Sequence, residues 1–379
     1  MYYKKIVVFG AGKIGRSFIG QVFSRSGYEV VFVDIDQQLI EMINQRQRYK
    51  VVIKGEEQQT LWIQPVRGIC LHDTDRVVDE LADAGIASLS VGKQGLQAAI
   101  PVIAKALSVR RQKLGNLPLD IIIAENMRNA DEFIRVALRR QLPPDYPVEQ
   151  LVGLVETSIG KMVPIMTRKD VEDDPLQVFA EPYNSLIVSA KGFKNAIPDV
   201  PFLAPKEHIK AWVDRKLFIH NLGHAAVAYL GFQSHPTAVY IYEILDDKRI
   251  HEIVRHTMLQ SAGILQALYP GEFTDRQIEE HIDDLLLRFM NRNLGDTVFR
   301  VGCDLYRKLG PDDRLVTPIR AGIRTGKPYN LIWDVLLAAI SFGAQDENGQ
   351  YFPADKAFFE ETKKGTQYII TNVCGLPYL

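Results

Sequence analysis

The chain is poor in cysteine and carries no surplus of charge of either sign. Cys70, Cys303 and Cys374 are its three cysteines, far apart, odd in number and without metal-ligand spacing. That argues against a disulfide scaffold or a cysteine-built zinc site and fits a reducing compartment. A formal charge of −1 over 379 residues gives no global electrostatic footprint for nucleic acid or an anionic membrane. Any charged substrate must therefore be held by a local cluster. No apolar run approaches the ~20 residues needed to span a bilayer, and there is no internal repeat or low-complexity tract. The sequence opens into a strand-like segment with no signal-peptide architecture. These absences predict a cytoplasmic protein whose partner is a small molecule, with no nucleic acid and no membrane involved. They leave its oligomeric state, monomer or dimer, open. The chain is nevertheless long enough for two domains with substantial cores, and 46% of it is hydrophobic.

The apolar run Ile6-Val7-Val8-Phe9 leads directly into Gly10-Ala11-Gly12-Lys13-Ile14-Gly15, and a helix-compatible pattern follows. In a strand–turn–helix of this kind the first glycine allows the tight turn and the second lets backbone approach a pyrophosphate. The third permits close packing of helix on strand, and free N–H groups at the helix start bind the anion. A second apolar run, Val30-Val31-Phe32-Val33, ends at Asp34. A carboxylate there accepts hydrogen bonds from ribose hydroxyls and repels a 2′-phosphate, which predicts NAD rather than NADP. Lys13, inside the loop, either reaches the pyrophosphate or faces solvent.

Strand-like and helix-like patterns then alternate, as a parallel sheet with crossover helices requires. A helix is expected over 37–48, a hairpin over 49–63, a buried strand over 86–92 and a helix over 96–113. Val91 and Gly92, at a strand end, are candidate contacts near the nicotinamide half of the cofactor, although Gly92 reads equally well as a turn glycine. The strand 119–124 ends at Glu125-Asn126-Met127, where open α/β sheets place ligands. The β-rich stretches 152–166 and 176–189 extend or cap the sheet. Past Pro198, Pro201 and Pro205 the pattern turns to long amphipathic helices, expected over 206–230, 240–268, 275–292 and 331–342. The fold class predicted is α/β. Residues 1–198 form a Rossmann-type NAD-binding domain with extra β elements, and residues 199–379 form a mainly α-helical substrate and catalytic domain.

Within that second part, Lys216-Leu217-Phe218-Ile219-His220-Asn221-Leu222-Gly223-His224 sets an amine, a carboxamide and two imidazoles on one helical segment. At about 100° per residue, Lys216, His220, Asn221 and His224 fall within an arc of roughly 140°. A metal-free alcohol dehydrogenase needs such a set. The lysine takes the hydroxyl proton, while amide and imidazole hold the oxygen on which charge develops. The spacing of His220 and His224 also suits zinc on a helix, but no nearby acid or cysteine completes a ligand set, so no metal is expected. Arg300, Arg307, Lys308 and Arg314 read either as a phosphate clamp or as partners of Asp296, Asp304, Asp312 and Asp313.

The glycine fingerprint, the strand-end Glu125-Asn126-Met127 and the pattern Lys216-x4-Asn221-x2-His224 occur in one order along the chain. Asp174-Pro175-Leu176, Lys191-x-Phe193-Lys194-x-x-Ile197-Pro198, Arg215-Lys216-Leu217-Phe218, Arg300-Val301-Gly302, Arg307-Lys308-Leu309 and Asp313-Arg314-Leu315 join them. The set resembles the polyol-specific long-chain dehydrogenases over about residues 5–340. The resemblance implies zinc-independent interconversion of a polyol, or its phosphate, with a ketose through a nicotinamide cofactor. It implies Lys216 as general base in oxidation and general acid in reduction, Asn126 and Asn221 as amide donors to the forming oxyanion, and His224 as an anchor for a neighbouring hydroxyl. The expected reaction is NAD-dependent oxidation of mannitol 1-phosphate to fructose 6-phosphate. The alternatives are another polyol or hexonate substrate (mannitol, altronate or mannonate) or a non-catalytic NAD- or sugar-binding regulator.

Four positions depart from the family pattern. Gly160 and Lys161 stand where the family usually has Asp and Arg, Cys303 replaces an Arg, and Lys13 replaces an Asn. Lys161 can still supply charge, but without the bidentate fork of an arginine. Lys161, Arg300 and Lys308 are the candidate substrate contacts.

Overall fold

The computed structural model describes residues 4–377. Its chain divides into two compact units, Met1–Val213 and Asp214–Leu379.

In the first unit six strands run parallel: β1 (Lys5–Phe9), β2 (Glu29–Asp34), β5 (Val66–Cys70), β6 (Ile86–Leu89), β7 (Leu119–Ile123) and β8 (Val152–Ser158). With β10 (Leu186–Ser189) and β11 (Leu203–Lys206) they form one eight-stranded sheet in the order β11-β10-β8-β7-β6-β1-β2-β5. Only the β8–β10 pair is antiparallel. Both faces of the sheet are covered. Ile6, Val8, Val30 and Phe32 enter one apolar cluster, and Val7, Phe9, Val31 and Val33 enter the other. Burial on two sides is why these strands read as unbroken apolar runs and not as an alternation. A smaller sheet pairs β3 (Tyr49–Lys54) with β4 (Gln58–Ile63) as the expected hairpin, and β9 (Val178–Ala180) lies parallel to β3. The β-rich stretch 176–189 therefore serves both sheets.

The boundary expected at residue 198 falls inside the first unit. After the proline-containing segment the chain returns as β11 and pairs with β10 from Leu186↔Leu203 to Ser189↔Lys206. The units part at Val213, within the helix Ile209–Arg215.

The second unit is helical in its described residues. Its central helix, Leu222–Ser234, buries Ala225, Ala226, Val227, Ala228 and Tyr229. It packs against Lys248–Leu268, Val298–Gly302 and Asn330–Ile340. The single helix expected over 240–268 is two, Ile241–Leu245 and Lys248–Leu268. The break comes where the Asp247 carboxylate accepts the Arg249 N–H at 2.8 Å and caps the second helix. The helix expected over 206–230 starts at Ile209, and Lys216–Asn221 forms a π-helical turn inside it. Among the described residues no helix is long and apolar enough to cross a membrane.

Candidate active site

The glycine loop sits at the carboxyl end of β1, and its geometry assigns a job to each glycine. Gly10 has φ +96°, and a Cβ there would lie 2.3 Å from the Ser90 carbonyl oxygen. A Cβ at Gly15 would lie 1.9 Å from the Gly10 carbonyl oxygen, so only glycine lets the helix start this close to the strand. Gly12 instead has nothing within 4 Å of that position. This is open space beside the first turn of a helix that begins at Lys13, and a pyrophosphate would be received there. The side chain of Lys13 is exposed on that turn.

Asp34 stands where the sequence places it, and it also braces the loop. Its Oδ2 accepts the Ala11 N–H at 2.6 Å and its Oδ1 accepts the Asp36 N–H at 3.0 Å. Each oxygen keeps a second lone pair for a hydroxyl donor. Sequence reasoning missed two further braces. Arg16 is buried and donates through Nε to the Ala11 carbonyl at 2.6 Å and through Nη1 to the Leu176 carbonyl at 2.7 Å. Burial holds its guanidinium below the ordinary arginine value. Glu125, named only as a strand-end residue, accepts the Val91 and Gly92 N–H groups on one oxygen at 2.7 and 3.0 Å. Burial pushes its carboxyl up against the pull of those two donors. Val91 and Gly92 are thus fixed at the end of β6 by the end of β7. Exposed Asn126 follows one residue later.

The candidate cofactor residues therefore gather at the carboxyl edge of one sheet. Lys161 belongs to the same unit but is no open surface charge. It is buried, donates to Asn184 Oδ1 at 2.7 Å and Gln21 Oε1 at 3.3 Å, and lies over the Phe18 ring at 5.0 Å. At Gly160 an added Cβ would meet Tyr183 no closer than 3.7 Å, so the side chain missing there leaves room.

Lys216, Asn221 and His224 lie in the second unit, and the π turn changes how they relate. Read as an α-helix, Lys216 and Asn221 stand about 140° apart. In the structure the Leu222 N–H reaches the Leu217 carbonyl five residues back. Bonding of this i→i+5 kind widens the turn and brings a residue five positions on nearly above the first. That narrows the angle between Lys216 and Asn221, while Leu217, Phe218, Ile219 and His220 are buried. Burial, and then the charge of Arg314, pulls the Lys216 ammonium from its ordinary 10.5 to about 8. A lysine so tuned can exchange a proton near neutral pH.

His224 stacks on Phe289 with ring centroids 4.8 Å apart, and its Nε2 lies 3.1 Å from Asp296 Oδ2. Burial, then Arg314, Arg300, Lys308 and Arg288, pulls its imidazole down to about 3. Asp296 pulls the other way. Burial and the surrounding cations favour the neutral ring. His220 is driven the same way by burial, then by Arg288. Among the described residues no group of three or more His, Cys, Asp or Glu side chains stands together as a metal donor set.

Both readings of the basic run find partners here. Arg300 pairs with Asp296, Arg307 with Asp304 and with Asp313, and Arg314 with Asp313. Lys308 differs. It is 5% exposed and its amine donates to the neutral Val301 carbonyl at 2.7 Å. Burial, then Arg314, pulls it to about 8. Arg300 remains half-exposed with nitrogens to spare.

A glycine-loop sheet of this kind is a dinucleotide-binding unit, here followed by a helical one. The family model described as the mannitol dehydrogenase Rossmann domain matches residues 4–201, and that of the mannitol dehydrogenase C-terminal domain matches residues 208–372. The chain belongs to the mannitol dehydrogenase family. The fold is similar to that of Pseudomonas fluorescens mannitol 2-dehydrogenase, solved as a ternary complex with NAD and D-mannitol. That match has 18% identity and a TM-score of 0.74, and covers 94% of this chain and 83% of the other. It is also similar to a D-sorbitol dehydrogenase in substrate-free form, with 14% identity and a TM-score of 0.77 over 96% of this chain and 85% of that one.

Proposed function

We propose that the chain is an NAD-dependent polyol-phosphate dehydrogenase that interconverts D-mannitol 1-phosphate and D-fructose 6-phosphate without a metal. The observation that carries this reading is Lys216, whose amine burial brings to about 8. It lies in one π turn with Asn221, and His224 follows on the next turn. The first unit is assigned to the cofactor, with Asn126 and Lys161 as its candidate substrate contacts, and the second to substrate and proton handling.

The residues of the glycine loop fit a dinucleotide: space at Gly12, a braced turn at Gly10 and Gly15, and the Asp34 carboxylate at the end of β2. That carboxylate disfavours a 2′-phosphate, so the cofactor is NAD. NAD held there supplies the acceptor for a hydride from the carbinol carbon. In oxidation, neutral Lys216 takes the hydroxyl proton. Asn221 and Asn126 donate amide hydrogens to the oxygen as negative charge develops, and they stabilise it without competing for the proton. His224, neutral, accepts a hydrogen bond from a neighbouring hydroxyl. In reduction, protonated Lys216 returns the proton to the oxygen. Arg300 and Lys308, the cations that act on His224 together with Arg314 and Arg288, take the phosphate. Lys161, buried and bonded to Gln21 and Asn184, is a further candidate substrate contact.

A second reading, an unphosphorylated polyol or a hexonate, draws on the Arg300–Asp296 pair and on Gly160 and Cys303. Steady-state NADH formation over mannitol 1-phosphate, mannitol, altronate and mannonate separates the two. Mannitol 1-phosphate should give the highest kcat/KM. R300A with K308A should lower kcat/KM for it by at least about tenfold, the loss of a charge-assisted contact, and change mannitol little. Equal losses on both substrates would contradict the phosphate assignment.

A further inference from the structure

Asp296 has no part in the reaction as described so far, yet its surroundings are those of a built device. It is 4% exposed, on a stretch tied down by the Ile241 N–H to its carbonyl at 3.0 Å and by the Tyr240↔Thr297 bridge. One carboxylate oxygen receives Arg300 and the other faces His224 Nε2 at 3.1 Å. A carboxylate only accepts hydrogen bonds. A neutral imidazole facing it must therefore carry its proton on Nε2, and Nδ1 is left as a lone-pair acceptor.

We propose that Asp296 is a positioning residue that fixes the Nε2–H tautomer and ring orientation of His224, so that Nδ1 can accept only from a substrate hydroxyl. The inference rests on His224 being the hydroxyl anchor. Through its second oxygen Asp296 also sets the guanidinium of Arg300, and one buried carboxylate thereby aligns the hydroxyl anchor with the candidate phosphate ligand. The groups that act on the imidazole are Arg314, Arg300, Lys308 and Arg288. Phe289 stacks on its face, and the His220 ring lies 6.3 Å away. Asp296 is the acid in hydrogen-bond contact with the ring among the described residues. Burial and the cations disfavour the imidazolium, and Asp296 selects between the two neutral forms.

Two measurements on the full-length protein test this. Long-range 15N–1H correlation of histidine-labelled protein, with the His224 signals assigned by the H224Q variant, reads the tautomer without substrate or cofactor. The wild type should show a protonated Nε2 and an unprotonated Nδ1, and D296N should give a mixture or the reverse. A protonated Nδ1 in the wild type overturns the proposal whatever the enzyme turns over. In kinetics, D296N should reduce kcat/KM about 10- to 100-fold, by analogy with the loss when the carboxylate behind a metal-ligating histidine is removed. NADH affinity and Tm should hold, and D296E should restore part of the loss. In an H224A background the same D296N change should cost markedly less than in the wild type, the remainder being what Asp296 does through Arg300. An undiminished loss in that background overturns the proposal. If the tautomer is as expected but no polyol, polyol phosphate or hexonate is turned over, the positioning stands and the functional reading falls.

Discussion

At the scale of single residues the site is an exercise in changing proton affinity by burial. Lys216 is drawn to about 8 and His224 to about 3 by desolvation and neighbouring cations. The sign of the pH dependence follows. Oxidation needs the neutral amine, so kcat/KM for the alcohol should rise with pH and level off above about 8. Reduction needs the ammonium, so kcat/KM for the ketose should be flat below about 8 and fall above it. Rate profiles in both directions check this, and a matching midpoint that disappears in Lys216→Arg would tie it to this amine. The lysine, the amide and the imidazole were legible in the sequence because they share one short segment. Asp296 was legible only as a salt-bridge partner. Its bond to His224 joins residues 72 apart, and local spacing carries no trace of it. Arg16 and Glu125 escaped for the same reason, since a buried charge looks like a solvated one until its acceptors are known.

At the scale of elements, the glycine loop was read correctly because each constraint on it is local. Its most restrictive member is Gly15, where an added methyl would stand 1.9 Å from the Gly10 carbonyl oxygen. Gly15→Ala should lower stability by about 1–3 kcal/mol, as overpacking does, and weaken NADH binding at least about tenfold. Gly12→Ala, in open space, should leave the fold intact and weaken only the cofactor. Thermal melts with NADH titrations distinguish the two, and equal destabilisation by both would contradict the division of roles. The π turns were not legible. Periodicity assumes 3.6 residues per turn, and both the Gly15–Gly20 and the Lys216–Asn221 turns keep their apolar residues buried while departing from it. The second turn carries the consequence, because it moves Asn221 toward the face of Lys216. π turns recur at functional sites, and this one holds two of the candidate catalytic residues, Lys216 and Asn221.

At the scale of the molecule, the proposed reading divides the labour, with the candidate cofactor residues on the sheet and Lys216 in the helical unit. The fold class was readable from the change of pattern after the prolines. After them β11 rejoins the sheet through pairing that residues 203–206 do not announce. The division makes a demanding prediction, since losing the base should leave the cofactor site untouched. The most direct test is Lys216→Ala, with NADH affinity by fluorescence titration set beside turnover of mannitol 1-phosphate. The account predicts NADH affinity within about twofold of wild type and turnover down by at least about 1,000-fold, within the range for a lost acid–base group. Turnover that survives the substitution would contradict the assignment of Lys216 as the proton carrier.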